Sequence, residues 1–146
     1  MTLYNPPVSA TPTTGLIQSV RTTLTVDTTT TSTSFVTLLT ASITTIGSSW
    51  LLIMANFSTT DSSSNDSGNQ FRITVGGTVY AYAGQPTSVG TVTAQVGARC
   101  IYTAALTANT YVVNLDWLTL DATNTISCRP ATHAEGASLV IYEVTL

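Results

Sequence analysis

The chain has 146 residues and a formal charge of −3, from seven acids against four arginines, with no lysine. That length suits one domain with a core of its own and leaves room beside it only for a tail. With no basic patch to neutralise phosphates, nucleic acid is excluded as a partner. The longest apolar run, Trp50 to Ala55, is far too short for a membrane-spanning helix, so no membrane partner is expected either.

Residues 1 to 18 hold Pro6, Pro7 and Pro12 among Thr, Ser and Ala. Pro removes a backbone donor and favours extended chain, so the segment reads as an arm ahead of a domain over residues 19 to 146. It has no basic region followed by an apolar run, so it is not expected to be a secretory signal. Leu3, Tyr4 and Val8 would be wasted on a free tail. With Pro6 and Pro7 they are the residues expected to dock on a partner.

Strands then follow one another. Val20, Thr22, Leu24 and Val26 alternate with Arg21, Thr23, Thr25 and Asp27, a strand with one wet face. Thr28 to Ser34 reads as a turn, Phe35 to Ile43 as a second strand, and Gly47-Ser48-Ser49 as its end. Trp50 to Phe57 is apolar on both faces, so it must be covered on both sides. Asp61 to Asn69 is a polar loop. Gly76-Gly77 is a two-residue hairpin signal that sets Val75 against Thr78, Ile73 against Tyr80 and Phe71 against Tyr82, with an aromatic cluster on one face. Gly84 to Gly97 reads as a long connection with a short edge strand near Thr91 to Gln95.

Ala98 to Trp117 carries two strands around Thr107 to Thr110. Cys100, Tyr102, Ala104 and Leu106 share one face of the first; Tyr111, Val113, Leu115 and Trp117 share one face of the second. If those strands belong to opposite sheets, Thr107 to Thr110 is a corner, and Cys100 and Tyr102 face Leu115 and Trp117 across the core. Thr125 to Arg129 is a short strand ended by Pro130. Ala137 to Val144 is apolar on both faces apart from Ser138 and Glu143. No stretch shows sustained helical periodicity.

About eight strands with turn signals between them give an all-β fold, a two-sheet jelly-roll sandwich with an extended N-terminal arm. In such a sandwich one face of each sheet should be wet. If strands 50–57 and 137–144 are neighbours, their second faces form an apolar patch of the kind that marks a subunit interface. A homo-oligomer is the expectation, with one sheet turned to its axis and Tyr142 of the last strand among the interface residues.

Catalytic chemistry finds little to work with. His133, the only histidine, sits in the loop Pro130 to Gly136 with no GxSxG elbow in the chain. One His and two separated Cys do not make a zinc site. Asp61 to Asp66 lacks the glycine and distal glutamate of a calcium loop and reads as a solvated turn. Cys100 and Cys128 both fall on inferred inward faces, which leaves a bridge open, although two buried thiols are the expectation without an export signal. No enzyme activity, metal or cofactor is expected.

The C-terminal half carries a likeness to a known family. A strand leading to LTANTY, then VVNLDW, then SCRPAT, then HAEGASLVIYEV resembles the jelly-roll, tumour-necrosis-factor-like domains of tailed bacteriophages. These occur as capsid decoration (cement) proteins and as fibre heads. The likeness is one of strands and turns over roughly residues 19 to 146. It implies a homotrimer with the terminal strand near the threefold axis, and it sets Arg129, His133 and Glu135 near a subunit boundary. The partners it implies are a second copy and a major capsid protein, at the outer surface of a virion. The rival reading is a fibre head that binds a host receptor or glycan through loops 61–69 and 84–97. The absence of a long repetitive shaft favours the decoration protein.

Overall fold

The computed structural model describes residues 15–61, 69–84, 93–131 and 136–145, with backbone alone at 60–61, 83–84 and 93–100. Ten strands form two antiparallel sheets among these residues. The first sheet runs laterally through β1 (Gly15–Thr23), β10 (Ala137–Thr145), β4 (Trp50–Asp61) and β7 (Thr93–Tyr102). Two three-residue strands lengthen it. β9 (Ile126–Cys128) pairs with Thr60 and Asp61 of β4 on the edge that β10 occupies further along, and β2 (Thr28–Thr30) pairs with β9. The second sheet runs β3 (Val36–Thr44), β8 (Thr110–Thr119), β5 (Asn69–Val75), β6 (Thr78–Gly84).

Apart from β2 and β9, eight strands remain. Along the chain they cross from sheet to sheet, except at the β5–β6 hairpin. This is the wiring of a jelly roll, and it confirms the architecture expected from the strand pattern. The expected turn at Thr28 to Ser34 is in part the strand β2. β1 begins at Gly15, so residues 15 to 18, assigned to the arm by their sequence, pair with β10.

Period-two alternation builds the core. Ala41 and Ile43 of β3, Leu51, Ile53, Ala55 and Phe57 of β4, Phe71, Ile73 and Val75 of β5, Val113, Leu115 and Trp117 of β8, and Leu139 and Ile141 of β10 are all buried. Each of the Val, Leu, Ile and Phe side chains among them, removed from water, contributes about 1.5–3 kcal/mol. The two layers lock where aromatics meet. The Phe57 ring of the first sheet stacks on Phe71 of the second at 3.7 Å between centroids and 18° between planes, and Phe71 meets Trp117 at 6.5 Å. The gap bounded by Ala55, Phe57, Phe71, Ile73, Ala81 and Leu115, with Arg72 and Tyr82 at its outer side, is too small to hold a water molecule.

The hairpin at Gly76-Gly77 forms with both glycines at positive φ (56° and 83°), and Val75 pairs with Thr78 as expected. Beyond that the expected register fails. A bulge between Ile73 and Thr74 sets Thr74 against Val79 and Ile73 against Ala81, so Tyr80 is the extra residue on β6. One slipped residue exchanges the faces. Phe71 turns into the core opposite Ala83, while Tyr82 stands outside opposite Arg72. The expected single-face cluster of Phe71, Tyr80 and Tyr82 is therefore split.

Ala98 to Trp117 is a corner between sheets. β7 lies in the first and β8 in the second, and Thr103 to Asn109 joins them. Tyr111, Val113, Leu115 and Trp117 do turn inward. The phase expected for the first strand is wrong: Ile101 packs on the core and Tyr102 is 55% exposed on the outside. The expected edge strand near Thr91 to Gln95 is the start of β7 itself, which pairs with β4 from Thr93 onward. Cys128 is buried; the Cys100 side chain lies outside the described residues, so the bridge question does too.

Candidate assembly surface

The outer face of the first sheet is built from the second faces of β4 and β10. Those strands are neighbours along their length, as the interface argument required. The register aligns their outward residues in rows. Leu16, Val144 and Trp50 form one row. Ser19, Tyr142, Leu52 and Tyr102 form the next, across all four strands. Arg21, Val140 and Met54 form a third. Trp50, Leu52, Val140, Tyr142 and Val144 are half-buried by one another, while Leu16 is 63% exposed and Met54 39%. Arg21, at the margin, is the one charged side chain in these rows among the described residues. Apart from Arg21, such a face has little charge to desolvate when covered.

The outer face of the second sheet has the opposite character. Thr40 stands opposite Asn114 and Asn114 opposite Thr74; Ser42 stands opposite Val112; Thr44 and Thr110 are opposite, with hydroxyls 2.8 Å apart. Thr40, Ser42, Thr44 and Thr110 are exposed and hydrate without charge, Thr74 is buried, and Val112 is the exposed apolar residue among them. The next row crosses the whole sheet as Thr37, Asp116, Arg72 and Tyr82. Asp116, only 4% exposed, accepts a hydrogen bond from the Thr37 hydroxyl at 2.9 Å and from Arg72 Nε at 2.9 Å. The Arg72 guanidinium lies 4.3 Å from the centre of the Phe35 ring, and that ring is 6.0 Å from Tyr82. The sandwich therefore has one mostly polar outer face and one mostly apolar one, the latter called the dry face below.

Glu143 ties the dry face to the end of the sandwich. By alternation it shares the inward side of β10 with Leu139 and Ile141, and it is fully buried. Its carboxylate accepts hydrogen bonds from Gln18 Nε2 (2.5 Å), Ser49 Oγ (2.5 Å) and the Ile46 N–H (2.9 Å). Burial pushes the carboxyl pKa up; the bonds from Gln18, Ser49 and Ile46 outweigh it and hold the pKa below the usual glutamate value. Gln18 also donates to the Thr44 carbonyl, so one carboxylate fastens β1, β10 and the β3–β4 turn. That turn passes through Gly47 (φ 104°) and Ser48 (φ 49°) and is zipped to the β7–β8 corner. Thr45 N–H donates to the Asn109 carbonyl, Leu106 N–H donates to the Ser49 carbonyl, and the Thr45 hydroxyl donates to the Thr107 carbonyl.

Of the residues singled out by sequence, Tyr142 sits in the middle of the dry face, opposite Leu52. Arg129 follows β9, past the Ala137 end of β10, and bonds Ser127 Oγ at 3.3 Å through Nη2. It and Tyr142 are not neighbours. His133 and Glu135, and the arm residues Leu3, Tyr4, Pro6, Pro7 and Val8, lie outside the described residues. The sequence reading missed Leu16 and Tyr102 as parts of the dry face, and the Arg72–Asp116 pair. Among the described residues no group of three or more His, Cys, Asp or Glu is placed to hold a metal ion.

No protein-family model matches the chain, and no curated protein does. Solved structures do. The chain is similar to an aspartate-to-asparagine mutant of the VP2 protein of infectious bursal disease virus, solved as derived T=1 particles. The TM-score is 0.43 at 14% identity, over 98% of this chain and 40% of that one. It is also similar to a structure of the Gx strain of the same virus, with TM-score 0.40 and 14% identity, over all of this chain and 42% of that one. The chain thus spans less than half the length of either, and at these scores the likeness assigns neither family nor function.

Proposed function

We propose that the protein is structural and works in a virion, as a homotrimeric capsid decoration (cement) protein on the outer capsid surface. The observation that carries the oligomer is the dry outer face of β1, β10, β4 and β7, centred on Tyr142 and Leu52. Around a threefold axis each copy would cover this largely uncharged face with a different surface of its neighbour, in a head-to-tail contact that closes the ring. Stable interfaces of this kind bury about 1,200–2,000 Å² in total. The threefold symmetry and the capsid partner come from the resemblance of the C-terminal half to phage decoration domains. In this reading the first sheet faces the trimer axis and the Thr-rich sheet faces outward.

The mechanism is mechanical. Each trimer bridges neighbouring capsid subunits, and the arm, through Leu3, Tyr4, Pro6, Pro7 and Val8, docks on the shell. Contacts that exist only in the assembled shell stabilise it by mass action. Co-sedimentation with undecorated capsids tests the capsid role. Full-length protein should pellet with the shells, and protein lacking residues 1 to 14 should bind weakly or not at all. Equal binding by the two would remove the arm's role, and no binding by the full chain would remove the capsid role.

A further inference from the structure

On the outer face of the second sheet, Tyr82, Arg72 and Phe35 form a cluster that the assembly account does not use. Tyr82, on the edge strand β6, is 60% exposed. Its ring is braced by Phe35 at 6.0 Å and by Arg72 directly opposite on β5. Arg72 is itself fixed. Its Nε is tied to the nearly buried Asp116, whose other oxygen is held by Thr37, and Phe35 covers one face of its guanidinium. Nothing among the described residues bonds the Nη groups, and the side chain is 29% exposed. The surface therefore presents a flat aromatic ring beside fixed, unfilled N–H donors. Because both are held before binding, little freedom is lost when they are used.

We propose that this cluster is a saccharide-binding site for a neutral hexopyranose unit. The apolar C–H face of a pyranose fits against an exposed tyrosine ring, and its hydroxyl oxygens accept from fixed guanidinium donors. Asp116 cancels the charge of Arg72, so the pair is net neutral and gives an anionic sugar no electrostatic advantage. Asp116 is a positioning residue, since its oxygens are taken by Thr37 and Arg72. The gap that Arg72 and Tyr82 line together with Phe71, Ile73 and Ala81 is too small to admit a sugar, so the site is a surface one, with a single sugar at about millimolar affinity. Several copies on one particle would bind a polysaccharide more tightly through effective concentration. The proposal stands whether or not the dry face is a subunit seam.

The test is a nitrogen-15 amide titration of the full chain with the methyl glycosides of glucose, galactose and mannose, each up to about 50 mM, the range where a millimolar site saturates. Methyl glucuronide is the charged comparator. At least one neutral glycoside should shift the signals of Phe35, Arg72 and Tyr82. The shifts should vanish in Tyr82→Ala, weaken in Arg72→Gln and survive in Tyr82→Phe. The exposed position of Tyr82 lets the Ala variant keep its fold, which the rest of its spectrum will show. Three outcomes would each overturn the proposal: no shifts with any neutral glycoside, shifts that persist in Tyr82→Ala, or binding of the glucuronide alone.

Discussion

Tyr142 on β10 stands directly opposite Leu52 on β4, and both turn away from the core, in a row that Tyr102 extends to the edge of the sheet. Among the described residues, Tyr142 and Leu52 are half-buried and Tyr102 is 55% exposed. A charge placed here should break the assembly and leave the fold alone. Leu52→Glu is predicted to weaken self-association by at least about 100-fold, because an unpaired carboxylate in a covered apolar face must be desolvated. The monomer should lose only about 0.5–3 kcal/mol, since Leu52 is half-buried on the outer side of the sheet and not in the core. Sedimentation velocity over a concentration series, with urea unfolding alongside, reads both quantities.

Glu143 predicts acid sensitivity of a definite sign. Its pKa in the folded chain is held below the ordinary value of 4.5, so its contribution to stability is present in full above that value. The contribution is lost as pH falls through the folded pKa. Urea midpoints of the native chain should therefore drop between pH 6 and pH 3. In Glu143→Gln part of that drop should disappear. The variant should also lose about 1–3 kcal/mol at neutral pH, because one amide oxygen cannot replace a carboxylate that accepts from Gln18, Ser49 and Ile46 at once.

Two glycines at positive φ should respond differently to alanine. At Gly47 an added Cβ would lie 3.2 Å from the Ala108 backbone nitrogen and 3.3 Å from its Cβ, on top of the strain of φ 104°. Gly47→Ala should cost about 1–3 kcal/mol and loosen the contact between the β3–β4 turn and the β7–β8 corner. At Gly77 nothing lies within 4 Å, so only the backbone term at φ 83° remains. Gly77→Ala should cost about 1 kcal/mol. Equal losses in thermal melts would contradict the packing of Gly47 against Ala108.

Much of this architecture is legible in the residues. The alternation of Leu51, Ile53, Ala55 and Phe57 with Trp50, Leu52 and Met54, and of Leu139 and Ile141 with Val140 and Tyr142, marks two strands dry on both faces. That these strands pair was an inference from the pattern, and they do. What the pattern hides is what a single residue can alter. The bulge at Tyr80 leaves no mark in TVYAY, yet it sends Phe71 and Tyr82 to opposite faces. Tyr102 looked inward because bulky aromatics usually do; it faces out because the outer face here is itself apolar. The partners of Glu143 lie 94, 97 and 125 residues away along the chain, so its alternation places it inside without showing what holds it there.

The claim on which most depends is that the face centred on Tyr142 and Leu52 is covered by copies of the same chain. Light scattering on a sizing column, with the full 146-residue protein at neutral pH, tests it most directly. The account predicts a single species of about three times the 15.3 kDa chain mass. A stable species at 15.3 kDa across the concentration range would contradict it.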